Sequence, residues 1–188
     1  SLFEITPVYR SAVTILPPEE VLPPIQNIRR KFDRRFDRWM PHINLLYGFL
    51  PDRYFLEAAA IITKNLTTFT PFQITFASYN FFKHRLSCTA WLQPDPAGKK
   101  SLKELQAILE SIFPQCSEQR KKSAAGFTPH LSVGQFKNIA EAKDNLPQWN
   151  SLTFKVESVY LISRRRQDPF QIRYRSDFGK QETILINL

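Results

Sequence analysis

The sequence predicts an α+β fold with mainly antiparallel sheet, and three observations point to it. Strand-like and helix-like segments mix along the 188 residues without the strict alternation of a parallel α/β protein. A unit made of a Pro-His strand, a helix and a further β-rich run occurs twice, beginning at Pro41 and again at Pro129. The hydrophobic share of 43% and aromatic share of 13%, with sixteen phenylalanines, suffice for a folded core and argue against disorder.

Taken in order, residues 8–16 read as a strand running into Pro17-Pro18. Residues 19–32 are helically periodic, although Pro23-Pro24 must interrupt or restart the helix. Residues 42–50 are rich in β-formers and bounded by Pro41 and Pro51, which makes them a strand. Asp52 is placed to N-cap an apolar-periodic helix over 53–66. Two strands, 72–82 and 86–92, follow across a tight turn, and 94–98 carries the clearest linker signal. Residues 101–113 form a helix with Leu102, Leu105, Ile108, Leu109 and Ile112 on one face. A basic loop at 120–126 leads to a strand at 130–136 and a short helix at 140–146. Strands at 153–162, 172–175 and 183–186 close the chain.

The repeat pairs 74–82 with 154–162, so both histidine strands hold the same place in a repeated unit. Two such units about a pseudo-two-fold axis would set those strands face to face across a cleft. Residues 1–188 then make one domain of two lobes, and Ser1 in place of an initiator Met fits a domain excised from a longer chain.

The formal net charge is +9, and much of it is clustered. Arg29, Arg30, Lys31, Arg34, Arg35 and Arg38 form one group, with others at 120–122 and 164–166. Such clusters attract polyanions, because neutralised phosphates release their counterions. No apolar run approaches the roughly 20 residues of a membrane span, and no leader pattern opens the chain. Cys88 and Cys116 form no Cys-x-x-Cys motif and read as small buried hydrophobes of a reducing compartment. An intracellular monomer, cytoplasmic or nuclear, is expected.

Two of the three histidines lie in matched contexts: Pro41-His42-Ile43-Asn44-Leu45 and Pro129-His130-Leu131-Ser132-Val133. On a strand, residues i and i+2 share a face, so His42 sits beside Asn44 and His130 beside Ser132. Ile43, Leu45, Leu131 and Val133 then point to the core. An imidazole beside a small hydrogen-bonding side chain, twice, suits phosphate chemistry better than packing. Phosphodiester hydrolysis needs a base for water and an acid for the leaving oxygen, and histidine serves both near neutral pH. Hydroxyl and amide groups can bind the non-bridging oxygens as charge builds. His84, in a turn after Lys83, lacks this setting and reads as a surface residue. A zinc site from the three histidines fits no familiar ligand spacing.

The paired motifs and the repeat that holds them resemble the 2H phosphoesterase superfamily, which includes 2′,5′ RNA ligase-like proteins and cyclic phosphodiesterases. The likeness covers nearly the whole chain. It implies a bilobed fold of two mainly antiparallel sheets, helices outside and the active site in the groove between, with no metal or other cofactor. By resemblance, His42 and His130 are the catalytic pair and Ser132 the phosphate-binding hydroxyl. Asn44 stands where the family has Thr or Ser, and its amide offers two donors in a different geometry.

Weaker substrate-binding candidates are Trp39, placed to stack on a base; Arg164, placed for phosphate; and Tyr47. Tyr47 faces the core in a regular strand unless a bulge at Gly48 re-aims it. Phe49 and Phe136 read as core. The expected substrate is RNA or a nucleotide with a ribose-linked phosphodiester, foremost a 2′,3′-cyclic phosphate end. Cleavage of 2′,5′-oligoadenylate or trimming of RNA 3′ ends are the enzymatic alternatives, and a catalytically weak RNA-end-binding module is the alternative of another class.

Overall fold

The structure, a computed structural model, describes residues 1–186. Nine strands and five α-helices alternate with short 3₁₀ turns among these residues. Strands β1 (Val8–Ile15), β2 (Ile43–Phe49), β7 (Ser158–Ser163), β8 (Gln171–Asp177) and β9 (Thr183–Leu185) form one sheet in the order β2-β1-β7-β8-β9. Strands β3 (Phe72–Lys83), β4 (Cys88–Pro94), β5 (Leu131–Phe136) and β6 (Leu152–Val156) form the other, in the order β5-β4-β3-β6. Every pairing is antiparallel, as the mixed element order foretold.

Each histidine strand is an edge strand whose inner neighbour is β1 or β4. The third strand of each sheet comes from the opposite half of the repeat. β3 follows β2 in sequence but joins the sheet of β5, and β7 follows β5 but joins the sheet of β2. The halves therefore exchange a strand, and neither sheet is complete without the other half. This corrects the single strand expected over 153–162. It breaks at Glu157 into β6 and β7, which lie in different sheets.

The helices are α1 (Leu22–Phe32), α2 (Phe55–Asn65), α3 (Pro96–Ile112), α4 (Glu118–Lys121) and α5 (Ile139–Asn145). The proline pair restarts rather than breaks the first helix: Glu19–Val21 is a 3₁₀ turn, and Pro23-Pro24 sit in the first turn of α1, where a missing N–H costs nothing. Asp52 caps nothing. It opens a 3₁₀ turn and accepts from Ser163 Oγ (2.8 Å) and Arg165 Nε (2.9 Å). The expected linker at 94–98 is the end of β4 and the first turn of α3, with Pro96 as the helix-starting proline. One apolar core, including Leu45, Leu46, Phe49, Ile74, Phe76, Leu109 and Leu131, lies beneath both sheets, and Phe136 joins its edge. Cys88 and Cys116 are buried free thiols within it. A smaller cluster of Ala12, Trp39, Ile162 and Phe170 covers the other face of the first sheet.

Candidate active site

Both histidines stand just before their strands, each after a proline. His42 Nδ1 donates to the Met40 carbonyl at 2.7 Å, and His130 Nδ1 donates to the Thr128 carbonyl at 2.8 Å. A carbonyl can only accept, so the neutral ring in both cases carries its proton on Nδ1. Nε2 keeps its lone pair and has no hydrogen-bond partner among the described residues. The two motifs thus present the same ring nitrogen in the same tautomer.

Each ring is partly buried. Burial is the main cause that lowers the His42 pKa, to about 4, against the opposing pull of the Met40 carbonyl; Arg29 and His130 add to the depression. Burial also lowers His130, opposed by the Thr128 carbonyl and assisted by Lys122. The contribution of His130 reaches His42 although the two motifs lie 88 positions apart in the sequence.

Both motif strands carry a bulge in the same place. Thr14 pairs with Asn44 and Val13 with Leu46, which leaves Leu45 unpaired. Trp91 pairs with Ser132 and Ala90 with Gly134, which leaves Val133 unpaired. The extra residue falls three positions after the histidine each time. It reverses the later alternation, so Tyr47 and Gln135 return to the face of Asn44 and Ser132. Tyr47 is therefore half-buried on the histidine side, and the bulge that aims it is at Leu45 rather than Gly48.

The loops preceding the histidines cross to the opposite motif strand. From the first half, the Arg34 N–H donates to Gln135 Oε1 (2.9 Å), and Gln135 Nε2 donates to Asp33 Oδ1 (3.1 Å). From the second, Gln119 Nε2 donates to the Tyr47 carbonyl (3.4 Å), and Tyr9, beside Tyr47, bonds Glu118. Arg29 holds the first loop. Although it belongs to a basic cluster in the sequence, it is 1% exposed and donates to Asp33, Gln26 and the Trp39 carbonyl. Its charge is structural.

Trp39 is corrected as well. Its ring is 7% exposed, stacked on His42 at 4.3 Å and on Phe170 at 3.8 Å, so it supports the histidine instead of offering a free face to a base. On the other side, Phe82 meets His130 edge-on at 4.8 Å and Trp91 does so at 5.8 Å. Neither was foreseen, since only the β3-β4-β5 register brings them beside the motif. Asn44 Oδ1 and Trp91 Nε1 are buried without partners. Arg164 lies at the far end of this face, with its Nε on the Asp168 carbonyl. His84 is exposed, as read, beside Thr89. No group of three or more metal-ligating side chains occurs among the described residues.

A family model described as the 2′-5′ RNA ligase superfamily matches residues 17–168, a span that holds both histidine motifs. The chain belongs to this superfamily, that of the 2H phosphoesterases. Among solved structures, TT0787 of Thermus thermophilus is similar at TM-score 0.60 and 17% identity, over 92% of this chain and 100% of that one. E. coli LigT complexed with 3′-AMP gives the same score and identity over 92% and 99%. A protein solved as a phosphoesterase follows at 0.56 and 13%, over 92% and 100%. No curated protein sequence matches the chain. At these identities the likeness establishes the LigT-like fold that the 2H resemblance implied.

Proposed function

We propose that this 2H phosphoesterase is a phosphodiesterase of RNA ends that opens 2′,3′-cyclic phosphates, with His42 and His130 as general base and acid. The observation that carries it is the matched pair of imidazoles, each locked through Nδ1 and each offering a bare Nε2. His42, whose pKa is the more strongly depressed, stays neutral and takes the proton of the attacking water. The water oxygen bonds to phosphorus as one P–O(ribose) bond breaks. His130, protonated at Nε2, gives its proton to that ribose oxygen. A bound phosphate anion favours the imidazolium this step needs. Ser132 and the Asn44 amide stand two residues from the rings, on the same face, to bind the non-bridging oxygens.

The LigT complexes with 3′-AMP and with phosphate support a nucleotide-sized groove in this fold. No helix is long and apolar enough to cross a membrane among the described residues, and the buried free thiols favour a reducing, intracellular setting. One observation favours the RNA-end-binding alternative: Asn44, in place of a hydroxyl, keeps its Oδ1 unpartnered.

Product analysis tests the proposal. An oligoribonucleotide ending in a 2′,3′-cyclic phosphate should yield a single phosphomonoester isomer, and its position identifies the leaving oxygen. An intact cyclic end, with a 2′,5′-linked oligomer also untouched, would leave only the binding module.

A further inference from the structure

A cavity of about 350 Å³ is lined by Arg34, Arg35, Asp37, Arg38, Arg164 and Gln167, with Arg164 beyond the row of Tyr47. Its two walls are the segment 34–38 and the loop 164–169, joined by the hydrogen bond from the Phe170 N–H to the Arg38 carbonyl (2.9 Å). Both walls are pre-organised. Asp33, held by Arg29, accepts the Arg35 N–H at 2.9 Å. In the other wall, Arg10 bonds the Arg166 carbonyl, Arg164 Nε bonds that of Asp168, and the Arg164 N–H bonds that of Arg10. Arg166 holds a positive φ of 55°, a conformation an ordinary side chain adopts only when its surroundings impose it.

The charge is not neutralised within the protein. Arg34, Arg35, Arg38 and Arg164 form no ion pair among the described residues. Asp37 in the wall is one carboxylate against four guanidiniums, and Arg10 and Asp168 beside Arg164 add one charge of each sign. Arginine forks arranged about one cavity suit a phosphodiester. Allowing for the bulge, four strand rows separate His42 from Tyr47 along the backbone, about 13 Å at strand rise, and Arg164, bonded to Arg10, lies beyond that row. A phosphate bound at the Arg164 end of that face is a different one from the phosphate at His42.

We propose that this arginine cavity is a second phosphate site, which takes a backbone phosphodiester upstream of the terminal nucleotide and makes a polynucleotide, rather than a mononucleotide, the substrate. The inference rests on the RNA-end proposal for which nucleotide lies at the histidines. Its test uses binding, so that the two can fail separately. The probes are a 5′-fluorescein hexaribonucleotide with a 3′-phosphate, followed by anisotropy between 50 and 200 mM KCl, and unlabelled 3′-AMP, followed by calorimetry. The proteins are wild type, Arg35→Ala/Arg38→Ala, and Lys99→Ala/Lys103→Ala, which removes the same charge from the exposed face of α3.

The arginine variant should lose hexamer affinity about ten-fold more than it loses 3′-AMP affinity, and its log–log salt slope should be shallower by about 0.7 for each phosphate it no longer neutralises. The lysine variant should match wild type. Equal losses on both ligands, no loss, or the same loss in the lysine variant would overturn the second site; an acidic protein segment as its occupant would give the no-loss result. A wild type that binds the hexamer through the arginines, yet leaves cyclic ends intact, contradicts the catalytic proposal alone.

Discussion

At the residue scale, the neutral state of His42 is set by burial beside Arg29, and it is measurable. The NMR titration of its ring should centre near pH 4, well below the ordinary 6.5. The consequence for stability has a definite sign. Above pH 6.5 the ring is neutral in folded and unfolded chains and contributes no pH dependence. As pH falls from 6.5 toward 4 the unfolded chain takes up the proton first, so stability is lost over that window, by about 3 kcal/mol. Urea unfolding at pH 7 and pH 4 should show this loss in wild type and a smaller one in His42→Gln. Asn44 sets stability against function in the opposite sense. An unpartnered buried amide oxygen costs about 1–3 kcal/mol, so Asn44→Ala should melt no lower than wild type while kcat/KM for a cyclic end falls about ten-fold. The matched placement of His42 with Asn44 and of His130 with Ser132 was legible in the sequence because identity and i, i+2 alternation suffice to propose it. The packing of Trp39 on His42, and of Phe82 and Trp91 on His130, was not. Which ring lies against which imidazole depends on chain entry and strand register, and neither has a local signature.

At the scale of elements, the two bulges are the common device. An extra residue at Leu45 and at Val133 turns Tyr47 and Gln135 onto the histidine face; there the Gln135 side chain anchors the loop arriving from the first half, while the Tyr47 backbone carbonyl accepts from Gln119 of the second. Gly134, just after the second bulge, gives α1 room to close down. A Cβ there would stand 2.7 Å from Phe32 Cβ and 3.1 Å from its carbonyl oxygen, both at the end of α1. Gly134→Ala should therefore cost about 1–3 kcal/mol in unfolding experiments, and lower turnover by displacing the Asp33–Trp39 segment that carries His42. Arg29→Ala strands Asp33 without its buried partner and should cost about 3–5 kcal/mol. Periodicity located most elements within a few residues but could not assign them to sheets. Residues 153–162 read as one β-rich run because Glu157, where the chain leaves one sheet for the other, interrupts neither composition nor alternation strongly. Pro94–Gly98 read as a linker for the converse reason: proline and glycine mark loops in general, yet Pro96 starts α3 and Gly98 is buried against β3.

For the whole molecule, the exchange of β3 and β7 between halves means that neither sheet is built from one half alone. The repeat in the sequence pointed to this pseudo-symmetry, and to the histidine strands as its matched parts. The excess of +9 was legible in the sequence, but its division between buried and exposed arginines was not. Arg29 is buried as a structural charge, whereas Arg34, Arg35 and Arg38, only a few residues on, face a cavity. The most direct test of the paired-histidine account is turnover of an oligoribonucleotide with a 2′,3′-cyclic phosphate end, in excess EDTA, by wild type, His42→Ala and His130→Ala. Wild type should retain full activity in EDTA, and each variant should lose about 10²–10⁴-fold in kcat. Activity abolished by EDTA, or retained by either variant, would contradict the account.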